Sequence, residues 1–135
     1  MDNNFKYTCL FGGGAIRGVS YIGAVKALEE LGIIPDRLAG SSVGSIFAAL
    51  LAVGYNAEEL KDIFIKVNFE LFKDISIGLG PLFAISKGEV FLEWVRELIE
   101  KKYYGENYKK GVNPAVTLKY IKKNLVVITT NLSNF

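Results

Sequence analysis

Apolar and polar positions along this chain fall into blocks of changing period, and each change of period marks a new element. Tyr7–Phe11 is a short apolar run that ends at three glycines, the pattern of a buried strand entering a tight loop. From Val19 to Leu31 the apolar positions Val19, Ile22, Val25, Leu28 and Leu31 recur every three residues, with Lys26, Glu29 and Glu30 on the other side. That spacing predicts an amphipathic helix, stopped by Gly32 and followed by Pro35. Arg37–Gly40 reads as a second short strand. Val43–Val53 is apolar all round, which predicts a helix buried in the middle of a domain, ended by Gly54. Asn56-Ala-Glu-Glu59 is a capping box that opens a helix running to about Val67.

Beyond Val67 the signal weakens. Asn68–Ile85 has aromatics, glycines and Pro81 but no period, and reads as irregular. Ser86-Lys-Gly-Glu89 is a second capping box, followed by Val90, Phe91, Trp94, Val95, Leu98 and Ile99 at helical spacing up to Gly105. Asn113-Pro114 can start another short helix, and Leu125–Thr130 is a β-branched run that predicts a strand. Strands alternating with helices in this order argue for an α/β sandwich on a largely parallel sheet.

Composition agrees with that picture. At 135 residues and 50% hydrophobic, with a net charge of +2, the chain fits one globular domain that buries roughly two-thirds of its unfolded surface. A pI of 8.6 with no basic stripe among aromatics argues against a nucleic-acid partner. The lysine pairs Lys101/Lys102, Lys109/Lys110 and Lys122/Lys123 read either as solvated surface or as contacts for anionic lipid headgroups. The single cysteine, Cys9, lies in an apolar run and reads as a buried, inert thiol. Met1–Lys6 lacks the order of a signal peptide, and Ile46–Val53 is far shorter than a membrane span, so a cytoplasmic location is expected. Histidine is absent, which removes Ser-His-Asp triads and imidazole bases from this chain.

Two glycine motifs carry candidate chemistry. Gly40-Ser41-Ser42-Val43-Gly44 is a Gly-x-Ser-x-Gly pattern between a short strand and a buried helix. A nucleophilic serine needs a sharp turn, glycines two residues either side permit it, and the following helix points its positive end at the reacting centre. Such a pattern arises by chance in about one chain of this length in twenty. The rival reading is a small-residue helix start with Ser42 as a simple N-cap. Gly12-Gly13-Gly14-Ala15-Ile16-Arg17-Gly18 is a glycine-rich loop after a strand, whose backbone N–H groups can bind an anion. A dinucleotide loop uses the same device, but the strict spacing fails, since Ala15 stands at its middle glycine. A purely structural turn is the other alternative.

Taken together, the two motifs resemble the patatin-like phospholipase family. Residues 13–33 are similar to that family's oxyanion loop and first helix, 39–45 to its nucleophile elbow, and 127–132 to a later strand. The resemblance implies a three-layer α/β/α sandwich with a mainly parallel central sheet, incomplete at the C-terminus. It implies a lipid acyl hydrolase with Ser42 as nucleophile, and an oxyanion hole from the backbone of Gly13, Gly14 and Ala15, with Arg17 closing the loop. Phospholipids or other acyl lipids are the implied partners, with transient membrane-surface contact and neither metal nor cofactor. Leu71–Ile85 is expected to be core or to line an acyl-chain site. The family's base is an aspartate in an Asp-Gly motif, and this chain has no Asp-Gly pair. Residues 1–135 are therefore expected to be the N-terminal part of a single patatin-like domain, ending before the base. The alternative is a degenerate homologue acting as a lipid- or protein-interaction module.

Overall fold

The structure, a computed structural model, describes residues 6–67 and 81–130. Three parallel strands form its sheet in the order β1 (Thr8–Phe11), β2 (Arg37–Ser41), β3 (Asn124–Ile128). The register pairs Leu10 with Ala39 and Ala39 with Val126. Side chains alternate across a sheet, so Cys9, Phe11, Leu38 and Leu125 share one face and Leu10, Ala39, Val126 and Ile128 share the other. The first face carries the core. On the second, Leu10 is 77%, Val126 58% and Ile128 64% exposed.

Among the described residues four α-helices accompany the sheet: α1 (Tyr21–Glu30), α2 (Val43–Ala52), α3 (Ala57–Lys66) and α4 (Pro81–Tyr104). α2 lies across all three strands and buries Phe47, Ala48, Leu50, Leu51 and Ala52, as a helix apolar on every side must. An aromatic column runs through the core from Phe11 to Tyr21, Phe47, Phe64 and Trp94, with successive ring centroids 5.2, 5.5, 4.7 and 6.1 Å apart. Burial pushes the Cys9 thiol above its ordinary value, so it packs as a protonated thiol.

The helix ends follow their local chemistry. Gly32 and Gly54 take positive φ, and each lets the next residue reach back to its helix, Ile33 N–H to Leu28 and Tyr55 N–H to Leu50. At α3 the capping box is complete: Asn56 accepts from Glu59 N–H at 2.9 Å, and Glu59 accepts from Asn56 N–H at 2.9 Å. Glu29 of α1 accepts the Ala57 N–H at 3.0 Å, which ties the two helices together. Tyr55 donates to the Leu98 carbonyl at 2.8 Å and Lys102 pairs with Glu59 at 2.6 Å, anchoring α4.

Five expectations need correction. The segment before α1 is a 3-10 helix, Ala15–Ser20, so the regular helix begins at Tyr21, and Leu31 lies past its end, 73% exposed. Ser86-Lys-Gly-Glu89 does not start a helix, because α4 already runs from Pro81, a residue suited to a first helical position. Residues 81–85 of the segment read as irregular are therefore helical, while 68–80 lie outside the described residues. No helix forms at Asn113-Pro114. The Asn113 side chain accepts the Lys109 N–H and the Pro114 carbonyl accepts the Tyr104 hydroxyl, which makes a turn instead. β3 ends at Ile128, short of Thr130. Among the described residues no helix is long and apolar enough to cross a membrane.

Candidate active site

Ser42 sits between the last residue of β2 and the first of α2, with φ 52° and ψ −131°. A non-glycine residue in that region costs on the order of 1–3 kcal/mol and persists only where its surroundings impose it. Here they do. A Cβ on Gly40 would lie 2.3 Å from the Gly44 carbonyl oxygen, and a Cβ on Gly44 would lie 2.2 Å from the Phe11 carbonyl oxygen. Both glycines are fixed by backbone on backbone, which no side-chain rearrangement relieves. The turn is sharp because two chain segments pass within contact distance of it.

The N-cap alternative makes a specific demand, that the Ser42 hydroxyl accept an N–H from the first turn of α2. It does not. The Ser42 carbonyl does the local bonding, accepting Ser45 N–H at 2.9 Å and Ser45 Oγ at 2.6 Å. The side chain stays exposed at the positive end of α2, whose first turn carries no acidic residue.

The glycine loop lies against this elbow. A Cβ on Gly13 would meet the Ser42 Cβ at 3.4 Å, so the Gly13 backbone and the Ser42 side chain are neighbours. Gly18 is buried, and a Cβ there would come within 2.8 Å of Val43. The loop is thus pressed onto the start of α2 at one end. At the other, the Tyr21 hydroxyl donates to the Gly12 carbonyl at 2.9 Å. Between them Arg17 N–H donates to the Gly14 carbonyl at 3.0 Å and Ser20 Oγ to the Arg17 carbonyl at 2.8 Å. The N–H groups of Gly13 and Gly14 find no acceptor among the described residues, and both residues are exposed. Donors left free in a held loop beside a hydroxyl can serve a negative oxygen.

Ala15 has φ 47°, a left-handed conformation that favours glycine. Ile16 is 59% exposed. Arg17 is exposed, and its guanidinium makes no ion pair or hydrogen bond among the described residues; the backbone of Arg17 closes the loop. Asp36 opens β2 at the end away from Ser42 and accepts the Tyr7 N–H at 3.2 Å, and Asp62 is exposed on α3. Tyr21 and Ser45 brace the site without any signal in the sequence, since neither spacing nor residue type marks a partner nine residues away or a serine one turn into a helix.

Comparisons with known proteins give the family of the chain. The family model for patatin-like phospholipases matches residues 10–135. The uncharacterized protein YqhO of Bacillus subtilis is 26% identical over 93% of this chain and 48% of its own length. An uncharacterized protein of Acanthamoeba polyphaga mimivirus is 30% identical over 98% of this chain and 44% of its own. The chain therefore spans about half the length of these relatives. A chain in the crystal structure of full-length SpcU in complex with full-length ExoU, from the type III secretion system of Pseudomonas aeruginosa, superposes with a TM-score of 0.55. It is 29% identical over 75% of this chain and 23% of that one. The chain belongs to the patatin-like phospholipase family.

Proposed function

We propose that this chain supplies the nucleophile and the oxyanion loop of a serine hydrolase that cleaves fatty-acyl esters of phospholipids or related lipids. The observation that carries the reading is the contact of the Gly13 backbone with the side chain of Ser42 on a strained, exposed turn. Ser42 Oγ attacks the ester carbonyl carbon and gives up its proton to a base. The carbonyl oxygen, now negative, accepts N–H bonds from Gly13, Gly14 and Ala15, and the dipole of α2 adds to their field. Collapse of the intermediate expels the alcohol and leaves an acyl group on Ser42, which water then removes.

The base is the aspartate of an Asp-Gly motif in the remainder of the patatin-like domain, of which residues 1–135 are the N-terminal part. Neither Asp36, at the far end of β2, nor exposed Asp62 is suited to the role. Arg17 closes the loop from the solvent side and acts on the charge that develops in the transition state.

The test is adduct formation with a fluorophosphonate probe on a protein extended through the Asp-Gly motif, mapped by peptide mass spectrometry. Ser42 is expected to be the only labelled serine, and Ser42→Ala to abolish labelling. Adducts on Ser41 or Ser86 with Ser42 free would overturn the assignment. Absence of any adduct would favour a module that keeps the fold for interaction alone.

A further inference from the structure

Of the three lysine pairs in the sequence, Lys122/Lys123 alone has neither member ion-paired among the described residues, whereas in Lys109/Lys110 only Lys109 lacks a carboxylate. Lys101, Lys102 and Lys110 are each paired with a carboxylate, at 2.7 Å from Glu97, 2.6 Å from Glu59 and 2.8 Å from Glu97 respectively. Lys122 and Lys123 have no carboxylate partner among the described residues. They line one side of a cavity of about 340 Å³ whose other walls include Lys6 and Arg37. That volume lies within the range of about 300–1,000 Å³ typical of small-ligand sites.

The gathering of these four cations follows from the sheet. In parallel strands the N-terminal ends lie together, and the register sets Thr8, Arg37 and Asn124 side by side. Lys6 precedes the first of these by two residues, and Lys122 and Lys123 lead directly into the third. Two backbone bonds tie this end of the sheet together: Tyr7 O accepts Asp36 N–H at 3.0 Å and Arg37 N–H at 3.2 Å. Among the described residues the one carboxylate on the rim is Asp36, which accepts the Tyr7 N–H at 3.2 Å. Four cations against one carboxylate leave the rim with a net positive charge that attracts an anion.

We propose that this cavity binds a phosphate group, free or at the end of a lipid headgroup. Arg37 offers a planar fork suited to two phosphate oxygens, and the lysines supply mobile point charges around it. The site is distinct from the candidate active site and independent of the hydrolase reading. Ser42 lies at the other end of β2, five residues from Arg37, or about 16 Å at the rise of a strand. In a phospholipid the phosphate and the nearest acyl ester are only a handful of bonds apart, so one lipid molecule does not fill both sites. The ligand here is a second molecule.

The experiment is calorimetric titration of the full chain with pyrophosphate, at low and at physiological salt. Saturable binding is expected, weakening as salt screens the site. Arg37→Glu/Lys122→Glu should weaken it at least about tenfold, since each reversal replaces attraction by repulsion. Lys66→Glu/Lys109→Glu makes the same change in net charge away from the cavity and should alter affinity less than about twofold. Asp36→Asn keeps an acceptor for Tyr7 but removes the negative charge, and should tighten binding about two- to fivefold, a gain no misfolded variant gives. Sedimentation with phosphatidylcholine vesicles, with and without phosphatidic acid, separates the sources. Capture that requires phosphatidic acid and is lost in Arg37→Glu/Lys122→Glu assigns a lipid headgroup; pyrophosphate binding without vesicle capture assigns a soluble phosphate. No heat from wild type, or equal loss in both double variants, overturns the proposal.

Discussion

Ser42 holds its unusual backbone because two glycines let other segments come closer than any side chain allows. Gly44 is the tighter of the two, with the Phe11 carbonyl 2.2 Å from where a Cβ would stand. Gly44→Ala is therefore expected to cost at least about 3 kcal/mol, a large value for one methyl group, because backbone must move on both sides. Chemical denaturation reads it directly, and unchanged stability would mean that the elbow relaxes. The spacing of these glycines was legible in the sequence, but not the reason for each. Ala15 shows the converse. In the sequence it stands where a dinucleotide loop has its middle glycine, and the structure gives that position a physical meaning, φ 47°. Ala15→Gly should stabilise the fold by about 0.5–1 kcal/mol, since glycine enters the left-handed region without the Cβ penalty. A loss of stability on that change would show that the loop conformation is held by contacts of the Ala15 methyl.

A clear apolar period was readable from sequence, and of the local start signals only one of three was. α2 and α3 emerge where the apolar pattern and the Asn56 capping box place them. Ser86-Lys-Gly-Glu89 has equally good capping residues but lies inside α4, because a capping box only offers a start, and a helix entering from Pro81 has no use for it. At Asn113 the side chain bonds back to Lys109 and spends its capping capacity on a turn. α4 also carries a charge arrangement with a measurable consequence. Glu97 is bridged by Lys101 at 2.7 Å and Lys110 at 2.8 Å, and those two bonds hold its carboxyl well below the ordinary 4.5, at about 2. A carboxylate with a depressed folded-state pKa contributes stability above its unfolded value and loses it as pH falls. The contribution should thus be complete above about pH 4.5 and gone near pH 2. Its size should be under about 1 kcal/mol, because water and salt screen a partly exposed pair. Glu97→Gln should flatten that part of the stability profile and leave the slope above pH 5 unchanged. An unaltered acid limb in the variant would show that the bridge contributes nothing.

At the scale of the whole molecule, parallel sheet and elbow were legible because alternating periods and paired glycine motifs are properties of short stretches. The way the glycine loop closes on Ser42 was not, since it depends on Gly18 meeting Val43 and Tyr21 reaching Gly12, contacts that only the fold creates. What the described residues bring together is the Ser42 hydroxyl and free N–H donors. A serine hydroxyl is a poor nucleophile until a base takes its proton. In serine hydrolases that lose a member of the proton-transfer set, oxyanion stabilisation and binding still leave a residual rate above water. Residues 1–135 alone are therefore expected to hydrolyse a p-nitrophenyl or phospholipid ester at least about a thousandfold more slowly than a protein extended through the Asp-Gly motif. The comparison is made on both purified proteins, each with and without Ser42→Ala, so that background hydrolysis is subtracted within each length. In the extended protein the difference between wild type and Ser42→Ala should be large, and in the shorter chain it should be close to the limit of detection. Full Ser42-dependent turnover by residues 1–135 would sink the expectation, because a carboxylate within this chain would then have to be the base. Asp62 on α3 would be the first to replace, since Asp36 stands at the wrong end of β2 and is already engaged with Tyr7.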